Sequence, residues 1–452
     1  MAQTRDRIAV VVVHGMGSQF PMDTLSGFVD AVKPEQSVLF SSPNRITDEK
    51  ETRRLSFNSA PYDFYEYYWA HYVEDPGFTA VIKWAFSLIF LKTPSARLQP
   101  HMKWVRSFII ATLLAIAGIA FLLYYFFKDN ISTILSFTLF GTSVFVIVKL
   151  LWSIVSSTVV GRINDSVGDV IKYTVPSPEN IATREKIRKS GIELLKNLHE
   201  AKTDSGQQKY SKVIVVAHSL GTVVAYDILT SLFAQYHRKF SAVIPVWPEQ
   251  AEEHPKPGQI PTVVQACLEQ LKTDSGTPDH TEGKYQQSQA ALFDEYRALS
   301  NQWRVSNFIT MGSPLTHAAM ILAPSKLHFE KKKSQREFPT CPPQIDKEDE
   351  HFAFPVTFSK SYNQKVKVNC LHHAAHFAET QWTNIYFEND WIGGRLSNEL
   401  GAGIKDIAVV ASSKWTARIP LASHTKYWDP EHRESLDTLK EVFQKIHPFI
   451  YE

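Results

Sequence analysis

A chain of 452 residues, 44% hydrophobic and 21% charged, is too apolar to be disordered throughout and long enough for up to about three domains. Its 48 basic and 46 acidic residues leave a net charge of +2, which supplies no basic surface for a nucleic acid backbone. Cys267, Cys341 and Cys370 stand far apart, with no CxxC or zinc spacing, which argues against a disulfide framework and for a reducing compartment.

Arg7 to Val13 is a continuous β-branched, apolar run, the pattern of a strand buried on both faces of a parallel sheet. It does not read as a signal peptide, because the short run Ile8 to Val13 leads into His14-Gly15 rather than a small-residue cleavage site. Tyr62, Tyr65, Tyr67, Tyr68 and Trp69 form an aromatic segment broken by Asp63, Phe64 and Glu66. A core strand is the first reading of that segment, and a wall facing a substrate is the second.

The mean hydropathy of −0.19 conceals a local extreme. Phe108 to Phe127 is 20 residues without a charge, and after Lys128-Asp129-Asn130 the run Ile131 to Val148 is uncharged for 18 more. At about 1.5 Å per residue, the first run crosses about 30 Å, the thickness of a bilayer's hydrocarbon core. We expect a two-helix transmembrane hairpin, with spans over 108–127 and 131–152, inside a membrane insertion over 76–175. Lys92, Arg97, Lys103 and Arg106 precede the first span, and Lys149 and Arg162 lie at the end of the second. The positive-inside rule then places both termini in the cytosol. Trp104, Tyr124, Tyr125 and Trp152 lie near the span ends, where amphipathic rings prefer the interface. Phe78 to Leu91, interrupted by Lys83, is too short to span; it lies in the membrane surface or covers the core.

Ser177-Pro178-Glu179 provides a cap, a first-turn proline and a first-turn acid, opening a helix to about Glu200. Lys212 to Val216, Val305 to Thr310, Asn384 to Phe387 and Ile407 to Val410 repeat the buried-strand pattern. Leu220 to Phe233 reads as a helix, and a last one follows Asp429-Pro430, where Leu436, Leu439, Phe443 and Ile446 recur at helical spacing. Strands alternating with helices predict an α/β fold with a doubly wound, mostly parallel sheet, its first part in 1–75 and the remainder in 176–452. Residues 234–301 are polar and Gln-rich, a lid-like insertion or a surface excursion. Residues 324–354, with Lys331-Lys332-Lys333 and Pro342-Pro343, read as a mobile, solvated loop.

The chemistry concentrates in Val215-Val216-Ala217-His218-Ser219-Leu220-Gly221-Thr222. A buried strand ends at Ser219 and an apolar helix starts just after it. So sharp a turn strains the serine backbone and needs small neighbours two residues to either side, which Ala217 and Gly221 supply. The helix N-terminus adds its field and its free N–H groups. This is the context of a G-x-S-x-G nucleophile elbow, with Ala217 at the first glycine position.

On this motif the chain resembles the lipase and esterase branch of the α/β-hydrolase superfamily. Two further features share the resemblance: Val10-Val11-Val12-Val13-His14-Gly15-Met16-Gly17, and Thr310-Met311-Gly312-Ser313-Pro314-Leu315. The first implies an oxyanion hole made by the Met16 and Leu220 N–H groups. The second reads as a structural turn; Ser313 is not the nucleophile, because Pro314 follows it and an elbow glycine is missing. The family order of serine, acid and histidine implies Asp390 as the acid, ahead of Glu388 and Asp406. It implies His424 as the base, ahead of His432 and His447. His218 reads as a packing residue. His372, His373 and His376 read as satisfied or surface histidines rather than metal ligands, since no HExxH or carboxylate partner is set by the spacing.

The resemblance thus implies a membrane-anchored serine hydrolase that cleaves carboxylic esters through Ser219, His424 and Asp390 by an acyl-enzyme, with no metal and no cofactor. Its location suggests a lipid or other lipophilic ester as substrate and the bilayer as partner, with no nucleic acid. A bacterial inner membrane is the expected place, with the catalytic domain cytosolic; an endoplasmic reticulum protein is the alternative. The competing functions are an acyltransferase using the same triad and a catalytically inactive membrane tether or interaction protein.

Overall fold

A computed structural model describes residues 7–15, 20–34, 37–48, 51–58, 60–73, 178–242, 283–298, 301–345, 352–361, 364–390, 392–410, 423–429 and 433–446, with Ser107, Leu114, Gly118, Phe121, Tyr125, Tyr173, Gln270 and Thr273 as isolated positions. The chain divides into two compact units, Met1–Val73 with Val175–Glu452, and Glu74–Thr174.

In the first unit β1 (Arg7–Val13), α1 (Asp23–Val32), β2 (Leu39–Pro43), β3 (Arg53–Phe57) and β4 (Tyr62–Tyr67) precede α2 (Pro178–Glu200). Then come β5 (Tyr210–His218), α3 (Gly221–Ala242), α4 (Lys284–Ala298), β6 (Val305–Met311) and α5 (Lys326–Ser334). The hairpin β7 (Ala353–Ser361) and β8 (Gln364–Leu371), then β9 (Gln381–Phe387), β10 (Lys405–Val409) and α6 (Arg433–Ile446), complete it. Eight strands form one sheet in the order β10-β9-β6-β5-β1-β4-β3-β2. The six from β10 to β4 are parallel, and β3 and β2 continue antiparallel at one edge. The protein is therefore α/β with a mostly parallel sheet.

The run of valines in β1 is explained by what covers it. Val10 and Val12 face a core shared with Leu25, Phe28 and Val32 of α1 and Leu439 and Phe443 of α6. Val11 and Val13 face the other way, toward Leu194 and Leu195 of α2 and Ala225 and Ile228 of α3. A strand covered on both faces by helices has no use for alternating polarity, and each fully buried valine contributes about 1.5–3 kcal/mol. Tyr62 to Tyr67 of the aromatic segment form β4, buried along its whole length, and the half-buried Tyr68 and buried Trp69 follow it. Its polar atoms are met inside: the Tyr65 and Tyr210 hydroxyls are 2.7 Å apart, and Tyr210 donates to Asp63 Oδ2 at 2.7 Å.

Several expectations change. β2 escapes a pattern reading because it is a short edge strand, exposed or half-exposed throughout. Within 234–301, α3 continues to Ala242, and α4 buries Tyr285, Gln289, Leu292, Phe293 and Tyr296. Gln289 Nε2 donates to the carbonyls of Phe377 (2.6 Å) and Thr380 (3.0 Å), so this helix is part of the core rather than of a lid. The supposed loop 324–354 contains α5, capped by Ser325 accepting from the His328 N–H, with Phe329 buried against Phe338 at 5.5 Å. Thr340 and Cys341 after it are buried as well. In α5 the single buried anchor Phe329 sits in a helix whose composition is that of a loop.

The expected spans 108–127 and 131–152 lie outside the described residues except for Leu114, Gly118, Phe121 and Tyr125, which are helical. Leu114 is 67% exposed, Phe121 65% and Tyr125 55%. Among the described residues no helix is long and apolar enough to cross a membrane. Phe78 to Leu91 and Ser177 also fall outside the described residues.

Candidate active site

Parallel strands end at a common edge, so the segments leaving β1, β4, β5, β6 and β9 are gathered there. They carry His14-Gly15, Trp69, Ser219, Gly312 and Asp390; His424 comes from a short helical turn, Ser423–Thr425.

Ser219 sits between the last residue of β5 and the first turn of α3 with φ 53°, a left-handed conformation for a residue with a side chain. That costs about 1–2 kcal/mol. Its backbone is held on both sides: the N–H donates to Met311 O (3.0 Å), and the carbonyl accepts from Thr222 N–H (3.0 Å) and Thr222 Oγ (2.7 Å). The helix can start there only because residue 221 is glycine. A Cβ on Gly221 would lie 2.2 Å from His14 O and 2.8 Å from Val13 O.

Ser219 Oγ–H donates to His424 Nε2 at 2.8 Å, and His424 Nδ1–H donates to Asp390 Oδ2 at 2.9 Å. A carboxylate only accepts, so Asp390 fixes the proton on Nδ1 and leaves Nε2 free to accept. All three residues are buried. Asp390 Oδ1 accepts from Ile392 N–H (2.9 Å), and Oδ2 accepts a second donor, the Tyr427 hydroxyl, at 2.8 Å. Burial pushes the Asp390 carboxyl up, but the attraction of His424 and the hydrogen bonds from His424, Tyr427 and the Gly393 backbone outweigh it and hold it well below the usual carboxylate range. Asp390 therefore stays anionic beside the imidazole.

His14 pins the loop after β1. Its Nδ1–H donates to Gly15 O (2.7 Å), and its Nε2 accepts from Trp69 N–H (3.0 Å). Trp69 Nε1–H returns to His14 O at 3.0 Å, and the two rings stack at 5.0 Å. Burial lowers its pKa to about 4, so it is neutral at pH 7. Gly15 backs onto the serine: a Cβ there would lie 2.9 Å from Ser219 Cβ. Met16, the expected first oxyanion donor, lies outside the described residues. Leu220, the expected second, is buried directly after Ser219 where α3 begins, and the first N–H groups of a helix have no partner within it.

His218 does more than fill space. Its Nε2–H donates to the His424 carbonyl at 2.8 Å, tying the serine turn to the loop that carries the histidine. Burial, and then the neighbouring His424, lower its pKa to about 3, so it remains neutral. Ser313 is a cap: its Oγ accepts from Leu315 N–H (3.2 Å) and lies 2.7 Å from Thr222 Oγ. Gly312 (φ 55°) lets the centre close, since a Cβ on it would lie 2.7 Å from Tyr427 Cε2 and 3.1 Å from both Asp390 Oδ2 and His424 Cε1.

The rival acids are placed elsewhere. Asp406 Oδ1 accepts from Asn384 Nδ2 (2.7 Å) and Leu396 N–H (3.0 Å), a structural tie, and Glu388 is exposed. His432 and His447 are outside the described residues. His372 and His376 are buried rather than at the surface, with His372 Nε2 bonded to Gln344 O at 2.9 Å. Among the described residues no cluster of three or more His, Cys, Asp or Glu could hold a metal ion. The residue that a sequence reading passes over is Tyr427: it stands three positions after His424, a weak signal that the two share a turn. No protein-family model, no curated protein and no solved structure matches this chain, so the site stands on its own geometry.

Proposed function

We propose that the chain is a serine hydrolase of the lipase and esterase kind within an α/β-hydrolase fold, cleaving a carboxylic ester through Ser219, His424 and Asp390. The observation that carries the reading is the unbroken relay Ser219 Oγ–His424 Nε2–Asp390 at 2.8 and 2.9 Å, behind a serine held in a strained turn. His424 Nε2 takes the Ser219 proton as Oγ attacks the ester carbonyl, and Asp390 stabilises the imidazolium. The carbonyl oxygen becomes an oxyanion met by the Leu220 N–H and, in this reading, the Met16 N–H, at about 3 kcal/mol per donor. Collapse breaks the ester C–O bond, and the imidazolium returns the proton to the departing alcohol. Water, deprotonated by His424, then releases the acid from the acyl-enzyme and restores Ser219.

The same proposal anchors the protein to a membrane through the hairpin at 108–127 and 131–152, with both termini and the catalytic unit in the cytosol. A bacterial inner membrane fits that arrangement. The uncharged runs 108–127 and 131–148 support it, as do the exposed side chains of Leu114, Phe121 and Tyr125. A lipid or other lipophilic ester is the substrate class this implies. The test is fluorophosphonate labelling of membranes containing the wild type or Ser219→Ala, followed by turnover of short- and long-chain esters. Labelling and turnover in the wild type alone are expected; a folded wild type that neither labels nor cleaves any ester would replace the enzyme reading with that of an inactive tether.

A further inference from the structure

We infer that Tyr427 is a positioning residue of this centre, one that sets the orientation and the charge of the acid; the inference rests on the hydrolase reading above.

The hydroxyl of Tyr427 has one proton to give, and its direction is determined by its neighbours. Phe387, the last residue of β9, points its N–H at the hydroxyl oxygen from 3.1 Å. An N–H can only donate, so at that contact the hydroxyl accepts. The O–H is left to donate to Asp390 Oδ2 at 2.8 Å, the same oxygen that receives His424 Nδ1–H at 2.9 Å. The ring is held as firmly as the hydroxyl. It is 1% exposed, packs on Phe387 at 4.6 Å, and meets the His424 ring edge-on at 6.4 Å. On its other side lies Gly312, where any Cβ would collide with Tyr427 Cε2. Because Tyr427 follows His424 by three residues, one short turn carries both the base and the group that holds the base's acid.

Two consequences follow. The paired donors hold the carboxylate in the rotation that presents Oδ2 to the imidazole. A hydrogen bond to an anion also draws charge from it, so Tyr427 moderates the pull of Asp390 on the imidazolium. The titratable groups packed around the phenol are Asp390, His424 and His218, and His218 stays neutral across the working range.

The experiment is a pH profile of kcat and kcat/KM for the full-length, detergent-solubilised chain on a soluble p-nitrophenyl ester, comparing wild type with Tyr427→Phe. Phenylalanine keeps the ring and removes only the hydroxyl. The expected result is a kcat lower by about 10- to 100-fold, the range of one hydrogen bond to a charged group, with KM little changed. The acidic limb of kcat/KM moves to higher pH by roughly half a unit or more, because the carboxylate has lost a competing donor. Replacing Tyr427 with 3-fluorotyrosine keeps the shape and strengthens the donor, so the acidic limb moves the opposite way; this arm decides the matter if the Phe variant does not fold. Unchanged kcat and an unmoved acidic limb in a folded Phe variant, or an unmoved limb with fluorotyrosine, overturn the inference. Those results leave the hydrolase reading intact, which falls separately if the wild type neither labels with fluorophosphonate nor turns over.

Discussion

Gly312→Ala is the sharpest probe of how the centre is packed. The residue has φ 55°, where an alanine costs about 1–2 kcal/mol. Its new methyl would lie 2.7 Å from Tyr427 Cε2, closer than two carbons tolerate, and a tight 3.1 Å from Asp390 Oδ2 and His424 Cε1. Relieving that overlap in a packed interior costs about 1–3 kcal/mol more. Together these give a loss of about 2–5 kcal/mol, read as the midpoint shift in a urea titration. None of the three neighbours is a flexible chain end: each is a ring or carboxylate fixed by partners on both sides. The strain must therefore displace the relay itself, and since a full ångström of misplacement costs about 100-fold, a displacement of several tenths lowers kcat by about 10-fold. Both quantities are measured on one preparation, with a soluble ester for the rate. A variant within about 0.5 kcal/mol of wild type and with its full rate would refute the packing argument.

Asp390→Asn removes the charge and frees the imidazole to take the wrong tautomer, so kcat falls by about three to four orders of magnitude while the fold persists; a rate within about tenfold of wild type would exclude Asp390 from the relay. Asp63→Asn tests the opposite end of the sheet, where Asp63, fully buried, accepts from Arg7 Nε at 3.2 Å and Tyr210 at 2.7 Å. Arg7 is 38% exposed, so the loss is about 2–3 kcal/mol rather than the full cost of breaking a buried pair, and kcat on the soluble ester is unchanged. Glu379 is buried, and burial, opposed by Arg297, raises its pKa from 4.5 to about 8. The folded state therefore binds a proton that the unfolded chain releases near pH 4.5, so wild-type stability declines as pH rises through that window to about 8. Glu379→Gln has no proton to lose, and its urea midpoint should hold between pH 5 and 8; parallel declines in both proteins would show that another group is responsible.

The strands that a pattern reading finds are those whose environment is uniform. β1, β5 and β6 lie inside the parallel part of the sheet, and a strand buried on both faces is written largely as an apolar run. The serine turn is equally legible, because the strain at Ser219 and the close approach at Gly221 are settled within a few residues of chain. The acid and the base are legible only as an order along the chain. They lie 34 residues apart, and Ser219 is 205 residues from His424, so spacing carries no distance information. Folding decides among the carboxylates: Asp406 is engaged by Asn384 and the Leu396 N–H, while Asp390 is placed under the imidazole. It also decides that α4, α5 and the turn at Cys341 belong to ordered structure, since a single buried anchor such as Phe329 outweighs a polar composition. Tyr427 is the clearest case. Beyond its place three residues after His424 nothing local distinguishes it from any other tyrosine, and its contact with Asp390 exists only because β9 and the turn after His424 arrive at the same point. Local propensity and periodicity are properties of neighbouring residues, whereas which carboxylate meets which ring is determined by contacts that only the assembled sheet creates.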